Sequence, residues 1–469
     1  MSEVLDVPAV TTVPLGELLT DIRNGLVVEQ EKELPGIPIT RIETISKGTV
    51  DMDRVRYVRD TAGKSLDSFW LRKGDILFSH INSDLHLGKT AIVPSDAPLL
   101  HGMNLLRLRV DSNRLRPKYL HHWLDYCRRT GVFMAIAQHA VNQSSLNQKK
   151  ITSLEVPLRS VGEQDEIVAE LEKQFSRLDE AVANLQRVKA NLKRYKASVL
   201  KAAVEGRLVE TEASLARCEG RTYETGEQLL QRILESRPSA WKGKYDSPTP
   251  PECLDDALTP DGWTWITVSQ AMRERIVNGL SIKESATPTS VRALKLSAMS
   301  DQGLDFNDFR WLPIELSKVE DIVIRESDFF VSRGNGSLEL VGRGSPAQEP
   351  KQAVIFPDTM MRIRFSRVAN VGPWFHALWT TRLVRAQIEK RVKTTAGIYK
   401  MAQPELASIT VPLPPLAEQA RIVAEVDRHL SIIHEVEAEV GANLQRAQAL
   451  RQATLAKAFS SKSIAGVSL

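Results

Sequence analysis

A long-period internal repeat constrains this chain more than any other feature of its sequence. Ile-Arg-Asn-Gly-Leu at residues 22–26 returns at 276–280 as Ile-Val-Asn-Gly-Leu, and the segment at 71–79 matches 324–332. Val-Pro-Leu at 156–158, Glu-Gln at 163–164 and Ile-Val-Ala-Glu at 167–170 recur at 411–413, 418–419 and 422–425. Such matches, in one order and at a nearly constant offset, predict a tandem duplication of a unit of about 200 residues.

Each copy divides into a globular first part and a long helix. The first parts, roughly 13–158 and 265–413, mix short β-rich runs with Gly, Asn, Ser and Pro, which predicts compact α+β domains. Apolar residues then step by three or four along 167–199 and 422–450, which is a heptad seam. Helices over 163–208 and 418–459 would extend about 69 Å and about 63 Å. The predicted fold is therefore α+β, with two similar globular domains joined by two long helices that pair as an antiparallel coiled coil.

The two helices are expected to differ in length. Asn-Leu-Gln-Arg at 184–187 recurs at 443–446, which predicts about four extra residues in the second helix, equivalent to one turn or a stutter. Residues 211–262 are predicted to form a connector with a short helix near 227–236 and a Pro-rich linker at 248–251. The predicted domains are 1–160, 161–210, 211–262, 263–415 and 416–460, with a tail at 461–469.

Patterns typical of catalysis fail when they are tested position by position. Gly88-Lys89-Thr90 resembles the end of a phosphate-binding loop, but Ser83 stands where that loop requires a glycine. Neither a dinucleotide fingerprint after Gly334 nor a zinc motif is complete. The three cysteines, Cys127, Cys218 and Cys253, are scattered in a way that supports neither disulfides nor a metal site. The sequence therefore predicts a chain that is not an enzyme by itself and holds no cofactor or metal.

Composition and charge leave DNA binding open and point away from the membrane. No stretch approaches the roughly 20 apolar residues of a membrane span, and the start lacks the basic and apolar regions of a signal peptide. A cytoplasmic location is therefore expected. The formal net charge of +4 permits nucleic-acid binding without requiring it.

Polar and basic loops that follow apolar strands are the candidate DNA-reading surfaces. Asn and Arg can bond bidentately to base edges, although a solvated turn is an equally simple interpretation of any one residue. Two such domains on a rigid spacer would suit two half-sites, since duplex DNA presents the same groove face every ~34 Å. Lys149 and Lys400, just before the helices, are candidate phosphate contacts. The loop candidates are Ser79, His80, Asn82, Ser83, His86 and Lys89 in the first copy and Ser332, Arg333, Asn335, Ser337 and Arg343 in the second.

Several segments resemble the specificity subunits of type I restriction-modification systems. They are Pro-Leu-Pro-Pro-Leu-Ala-Glu-Gln-Ala-Arg-Ile-Val at 412–423, Asn-Gly-Ser-Leu-Glu-Leu-Val-Gly-Arg at 335–343, Ala-Ala-Val-Glu-Gly-Arg-Leu at 202–208 and Glu-Gln-Leu-Leu-Gln-Arg-Ile-Leu at 227–234. The first copy departs from the pattern, with Arg-Ser-Val-Gly at 159–162 where the second has Pro-Pro-Leu-Ala. The resemblance covers nearly the whole chain and agrees with the repeat.

The resemblance implies a specificity subunit that recognises a bipartite DNA target through two target recognition domains. Its partners would be two modification subunits, which methylate adenine with S-adenosylmethionine, and two restriction subunits, which translocate and cleave DNA with ATP and magnesium. One alternative is a stand-alone bipartite DNA-binding or scaffolding protein without enzymatic partners. Another is an enzyme with an unrecognised site, for which His80 and His86 would matter because only the first copy has them. The bases of either half-site and the spacer length cannot be read from the sequence.

Overall fold

The chain forms two compact units. The computed structural model describes residues 11–61, 63–96, 98–140, 143–241, 243–251, 259–395 and 397–459. Unit 1 comprises residues 1–187 with 440–469, and unit 2 comprises residues 188–439. The predicted tail at 461–469 and Cys253 in the connector lie outside the described residues. In the described part of the chain, no helix is long and apolar enough to span a membrane.

Unit 1 contains an α+β domain built around a four-stranded antiparallel sheet. Its strands are β1 (Thr12–Pro14), β2 (Leu19–Asn24), β3 (Ile37–Ile39), β4 (Arg56–Val58), β5 (Ile76–Phe78), β6 (Ile81–Asn82), β7 (Thr90–Ile92), β8 (Leu106–Val110), β9 (Gln138–Ala140), β10 (Gln143–Ser145) and β11 (Glu155–Pro157). The helices that follow the main sheet are α1 (Pro117–Arg129), α2 (Val132–Ile136), α3 (Gln148–Thr152) and the start of α4 (Val161–Val204). The main sheet has the order β2-β8-β5-β7, and smaller sheets join β1 to β11, β3 to β4, and β6 to β10 and β9.

The central strand β5 is buried on both faces, which explains its continuous apolar sequence. Ile76 and Phe78 belong to the same buried cluster as Tyr119 and Trp123 of α1. Leu77 points to the opposite face and belongs to a second buried cluster. Because successive side chains of a strand alternate between faces, one short strand contributes to two cores.

Cys127 lies in the core of unit 1, whereas Cys218 is exposed. Burial raises the pKa of the Cys127 thiol far above its ordinary value. Because the thiolate is the reactive form, we expect a maleimide at neutral pH to label Cys218 readily and Cys127 only after unfolding. Mass spectrometry of a Cys253→Ser variant, labelled with and without urea, measures this difference. Equal labelling of the two thiols in native buffer would contradict it.

Unit 2 contains a domain with the same arrangement of strands. After the connector helices α5 (Glu212–Glu219) and α6 (Gly226–Ala240), its helices are α7 (Val268–Ala271), α8 (Gly372–Trp379), α9 (Arg382–Arg391), α10 (Gln403–Ala407) and the start of α11 (Leu416–Phe459). Its strands are β12 (Thr264–Thr267), β13 (Val277–Asn278), β14 (Val291–Leu294), β15 (Met299–Ser300), β16 (Gly303–Leu304), β17 (Phe309–Leu312), β18 (Asp328–Ser332), β19 (Gly334–Asn335), β20 (Gly344–Pro346), β21 (Val354–Ile355), β22 (Met360–Arg364), β23 (Lys393–Thr395), β24 (Ile398–Lys400) and β25 (Thr410–Leu413).

The sheet topology confirms the predicted duplication. The order β2-β8-β5-β7 of unit 1 recurs in unit 2 as β13-β22-β18-β20. The β1-β11 pair recurs as β12-β25, and β6-β10-β9 recurs as β19-β24-β23. Unit 2 also has the three-stranded sheet β17-β14-β21, in the region where unit 1 has the pair β3-β4, and it has the pair β15-β16. The predicted α+β fold class is therefore confirmed.

Buried ion pairs recur at matching positions of the two sheets. Arg109 of β8 donates from Nε to Asp75 at 2.7 Å, and Arg364 of β22 donates from Nε to Asp328 at 2.6 Å. The second pair is the more deeply buried, with 6% of the Arg364 side chain exposed against 24% for Arg109. Arg364 also contacts Glu274 at 3.0 Å. These pairs explain why an arginine stands at matching positions of β8 and β22.

Close backbone approaches explain the repeated Asn-Gly-Leu segment. A Cβ atom on Gly25 would lie 1.8 Å from the carbonyl oxygen of Gly102, and one on Gly279 would lie 1.9 Å from that of Phe356. Each glycine therefore allows two chain segments to touch where any side chain would collide.

An aromatic side chain ties each domain to the strand that precedes its long helix. In the first copy, the Tyr119 hydroxyl donates to the carbonyl oxygen of Pro157 at 2.7 Å. In the second copy, Nε1 of Trp374 donates to the carbonyl oxygen of Pro412 at 2.8 Å. Different side chains thus make the same bond at matching positions.

Helices α4 and α11 each contain 44 described residues, and the description of α11 stops at Phe459, so the predicted difference in length stays a prediction. Helix α4 stops at Val204 rather than near residue 208, because Gly206 adopts a positive φ of 63°. The backbone N–H of Arg207 then bonds to the carbonyl of Ala202 at 2.9 Å, and that of Gly206 bonds to Ala203, which is a Schellman ending.

Within unit 1, the first part of α4 pairs with the last part of α11 in an antiparallel direction. The hydroxyl of Thr454 contacts the amide oxygen of Gln174 at 3.3 Å, and Arg451 contacts Asp179 at 2.8 Å. The Arg451 guanidinium also lies 4.3 Å from the centre of the Phe175 ring. Residue numbers increase along α4 in the direction in which they decrease along α11, so the predicted antiparallel pairing is observed here.

Within unit 2, the last part of α4 pairs with the first part of α11, again in an antiparallel direction. The Tyr195 hydroxyl lies 2.9 Å from Nδ1 of His429. Further along α4, Val199 belongs to the same buried cluster as Ile422 and Val426, which lie nearer the start of α11.

The connector is more structured than a short helix and a linker. Helix α5 begins at its N-cap Thr211 and was not predicted, whereas α6 extends the helix that was predicted near 227–236. The Glu418 carboxylate accepts from the backbone N–H of Glu212 at 2.8 Å and from Nε1 of Trp263 at 2.9 Å. Burial raises the pKa of Glu418 above its ordinary value. The connector thus packs against unit 2, and Leu229 and Ile233 of α6 belong to its largest buried cluster.

Candidate nucleic-acid interface

The first candidate loop follows β5 and is partly buried. Ser79 and His80 are only 1% and 8% exposed, and burial lowers the pKa of His80 to about 4. The side-chain amide of Asn82 donates to the Ser79 hydroxyl at 3.0 Å, and its oxygen accepts from the backbone N–H of Ser83 at 2.9 Å. Ser83 itself is exposed. Asn82 and Ser83 thus reach the surface, while Ser79 and His80 support them from below.

Lys89 and His86 lie at the far end of this loop and are half-buried. The Lys89 ammonium donates to the carbonyl oxygen of Ser46 at 2.9 Å. Burial and the nearby Arg128 lower the pKa of Lys89. Burial also lowers the pKa of His86, together with the charges of Lys89 and Arg128. The Lys89 ammonium group therefore already has a hydrogen-bond acceptor within the domain.

The second candidate loop follows β18 in the same way. Ser332 is 2% exposed, and its counterpart Ser79 is 1% exposed. Arg333 and Asn335 are half-buried, and the side-chain oxygen of Asn335 accepts from the backbone N–H of Ser337 at 3.1 Å. Arg343 contacts the carboxylate of Asp301 at 3.5 Å. The loop thus offers Arg333, Asn335 and Ser337 near the surface, whereas Arg343 has an acidic partner.

The two lysines predicted from positions near the helices are both exposed. Lys149 lies on α3, whose N-cap Asn147 accepts from the backbone N–H of Lys150 at 2.9 Å. Lys400 lies on β24, next to β19, which carries Asn335. Neither ammonium group has an acidic partner among the residues that the structure describes. The second copy therefore brings Lys400 and Asn335 together, as residues of adjacent strands.

Sequence reasoning missed a small antiparallel sheet beside each loop. Ribbon 1 is the sheet β6-β10-β9, and ribbon 2 is the matching sheet β19-β24-β23. Each begins with the asparagine-bearing strand of the loop and adds a two-stranded hairpin. Ribbon 1 gave no sequence signal because its hairpin strands are almost entirely polar, but Gly397 between β-rich runs was an available hairpin signal for ribbon 2.

A chain of side chains anchors ribbon 1 to the first loop. The Ser144 hydroxyl lies 2.5 Å from a carboxylate oxygen of Asp84 and 2.8 Å from Nδ1 of His139. Nε2 of His139 lies 3.2 Å from the carbonyl oxygen of Met134. Ser144 is 1% exposed, whereas Asp84 and His139 keep 65% and 54% of their side chains exposed, so the chain leads from a buried hydroxyl to the surface.

The exposed groups of this region are suited to binding. Across the described ranges, no three His, Cys, Asp or Glu side chains come together as a metal site. The hydroxyl between Asp84 and His139 is buried, so it is not presented to a substrate. Amide, hydroxyl and ammonium groups at the surface can form hydrogen bonds with base edges and with phosphates.

Two globular copies with matching surface ribbons, joined by paired helices, define a duplicated binding protein. The chain is 46% identical over 154 residues to a putative type I restriction enzyme specificity subunit, MjaX, of Methanocaldococcus jannaschii. This match covers 33% of the chain and 36% of the relative. It is also 31% identical over 183 residues to the EcoKI specificity subunit of Escherichia coli K12, covering 39% of each protein. Each alignment thus spans well under half of the relative's length.

A solved structure supports the same relationship at the level of the fold. A chain from a study of complex assembly and conformational transition of the type I R-M system matches with a TM-score of 0.60 and 19% sequence identity, covering 97% of this chain and 98% of that one. No protein-family model matches the sequence. The chain is a relative of the type I restriction enzyme specificity subunits, which confirms the resemblance predicted from its motifs.

Proposed function

We propose that this chain is the sequence-specific DNA-binding subunit of a type I restriction-modification complex. The observation that carries the proposal is the recurrence of one surface loop and ribbon in each copy, on a chain related to specificity subunits. Two similar binding surfaces suit a target with two half-sites, because each copy can contact its own part of the duplex. The chain contributes recognition, and its partners contribute the chemistry.

Each globular domain serves as a target recognition domain in this proposal. The first covers residues 1–160 and the second 263–415, with helices at 161–210 and 416–460 and a connector at 211–262. Among the predicted contacts, those at the surface are the direct candidates: Asn82, Ser83 and Lys149 in the first copy, and Arg333, Asn335, Ser337 and Lys400 in the second. The buried Ser79, His80 and Ser332 would position them, as would the half-buried His86, Lys89 and Arg343.

The partners follow from the same proposal. Two modification subunits would bind S-adenosylmethionine and methylate adenine, and two restriction subunits would use ATP and magnesium to translocate and cleave DNA. The complex would act in the cytoplasm, where the DNA is.

Co-expression with the modification polypeptide encoded beside it tests this function. We expect the two chains to co-elute and to methylate adenine within a motif of two short parts separated by nonspecific bases. Sequencing of adenine methylation across the genome, with and without a deletion of this gene, reads the motif directly. A failure to bind any methyltransferase chain, or a motif that stays methylated in the deletion strain, would contradict the proposal.

A further inference from the structure

The two ribbons have the same geometry but different surface chemistry. Strand alternation places Gln138 and Ser145 opposite each other on one face of ribbon 1, with Gln143 on the same face. The other face carries Ser144, which is 1% exposed and hydrogen-bonded to Asp84, and His139, which keeps 54% of its side chain exposed. The face opposite Ser144, the outer face of ribbon 1, presents Gln138 and Gln143.

These two glutamines are free to meet a ligand. Both are exposed, and within the described residues neither side-chain amide has a hydrogen-bond partner. An amide side chain carries a donor and an acceptor on one plane, which matches the N6 and N7 edge of adenine. A narrow antiparallel ribbon also fits the major groove of duplex DNA.

The matching face of ribbon 2 is basic. Lys393 stands where ribbon 1 has Gln138, and Lys400 stands where it has Ser145; the two lysines are directly opposite each other across β23 and β24. Like charges in this arrangement repel and destabilise a sheet pair. Lys393 is paired with Glu405 at 3.2 Å but keeps 81% of its side chain exposed, whereas Lys400 has no acidic partner in the described part of the chain. A bound anion would relieve this repulsion.

We propose that the two ribbons contact DNA differently: ribbon 1 reads base edges through Gln138 and Gln143, and ribbon 2 binds backbone phosphate through Lys393 and Lys400. This inference rests on the proposed DNA-binding function and assigns unequal roles to the two copies. Ribbon 1 then helps to specify the bases of one half-site. Ribbon 2 adds binding affinity that depends on the salt concentration and not on the base sequence of the DNA.

Binding of the complex of this chain with its modification subunits to duplex oligonucleotides, at several salt concentrations, tests the inference. For Lys393→Gln with Lys400→Gln, we expect weaker binding to every sequence and a decrease of about 1–2 in the slope of log affinity against log salt. A matched control, Lys283→Gln with Lys351→Gln, removes the same charge from exposed positions outside ribbon 2 and should leave the slope nearly unchanged.

For Gln138→Ala with Gln143→Ala, we expect an unchanged salt slope and a loss of discrimination at one half-site. The preference for the correct base there should fall by about 5- to 150-fold, while the other half-site keeps its preference. The substituted residues of both double variants, Gln138, Gln143, Lys393 and Lys400, are all exposed. A melting temperature identical to that of the wild type confirms that each variant is folded.

The outcomes separate this inference from the function on which it rests. If the wild-type complex shows no sequence-dependent binding, the proposed function fails. If the wild-type complex binds specifically but the glutamine variant keeps full base preference, or the lysine variant loses preference at one half-site and keeps its salt slope, the assignment of the ribbons is overturned and the function stands.

Discussion

Exchanging residues 332–343 for the same segment of a relative with another target is expected to change one half of the methylated motif and leave the other half unchanged. The segment is a closed loop between β18 and β20, because the N–H of Ser332 bonds to the carbonyl of Arg343 at 2.8 Å and the N–H of Gly342 bonds to that of Ser332 at 2.9 Å. The strands on either side can therefore stay in place while the loop changes.

The expected size of this effect follows from the cost of wrong bases. Each mismatched base pair weakens specific binding by about 1–3 kcal/mol, so an altered preference at two bases should weaken binding to the original target by about 30-fold or more. Methylation sequencing of cells carrying each exchange measures the motif. The matched exchange of residues 79–89 should alter the opposite half. Simultaneous changes in both halves after either exchange would contradict independent recognition by the two copies.

Replacing Arg364 with methionine is expected to lower the free energy of unfolding of unit 2 by about 3–5 kcal/mol. The substitution removes the partner of Asp328, whose side chain is 1% exposed, and of Glu274. A carboxylate that is buried without its partner is far more costly than an intact pair. Urea unfolding followed by tryptophan fluorescence is a suitable measurement, because Trp374 and Trp379 lie in the core of unit 2.

The repeat supplies a matched comparison for this variant. Arg109→Met breaks the corresponding pair of unit 1, where the arginine is more exposed, so we expect a smaller loss of stability. Arg428→Met breaks an exposed pair with Glu425 on α11 and should leave the free energy of unfolding nearly unchanged, because solvent screens such pairs. If Arg364→Met and Arg428→Met had equal effects, the buried pair would not stabilise the sheet as argued.

The features that were predictable from the sequence are those with a period or a repeat. The heptad seams of α4 and α11 and the matching segments of the two copies each predict structure without knowledge of tertiary contacts. The end of α4 was predicted less well, because the ending at Gly206 depends on one local backbone conformation. Helix α5 was missed although Thr211 and Gly220 mark its two ends.

The candidate interface was only partly predictable for a different reason. Polar residues after an apolar strand were expected at the surface, but Ser79 and Ser332 still face the interior because each strand's backbone pairing continues past its apolar run. Ribbon 1 depends on pairing between β6 and strands more than 50 positions away, which local sequence does not encode. Which side chains share its outer face follows only from that register.

The bonds from Tyr119 to Pro157 and from Trp374 to Pro412 have an evolutionary consequence. Their acceptor is a main-chain oxygen, which every amino acid supplies, so a phenol or an indole can serve equally well as donor. Each bond also begins and ends within a single copy. Recombination between genes at the starts of the long helices would therefore transplant a recognition module together with its own attachment, and new target combinations could arise without redesign of the helix pair.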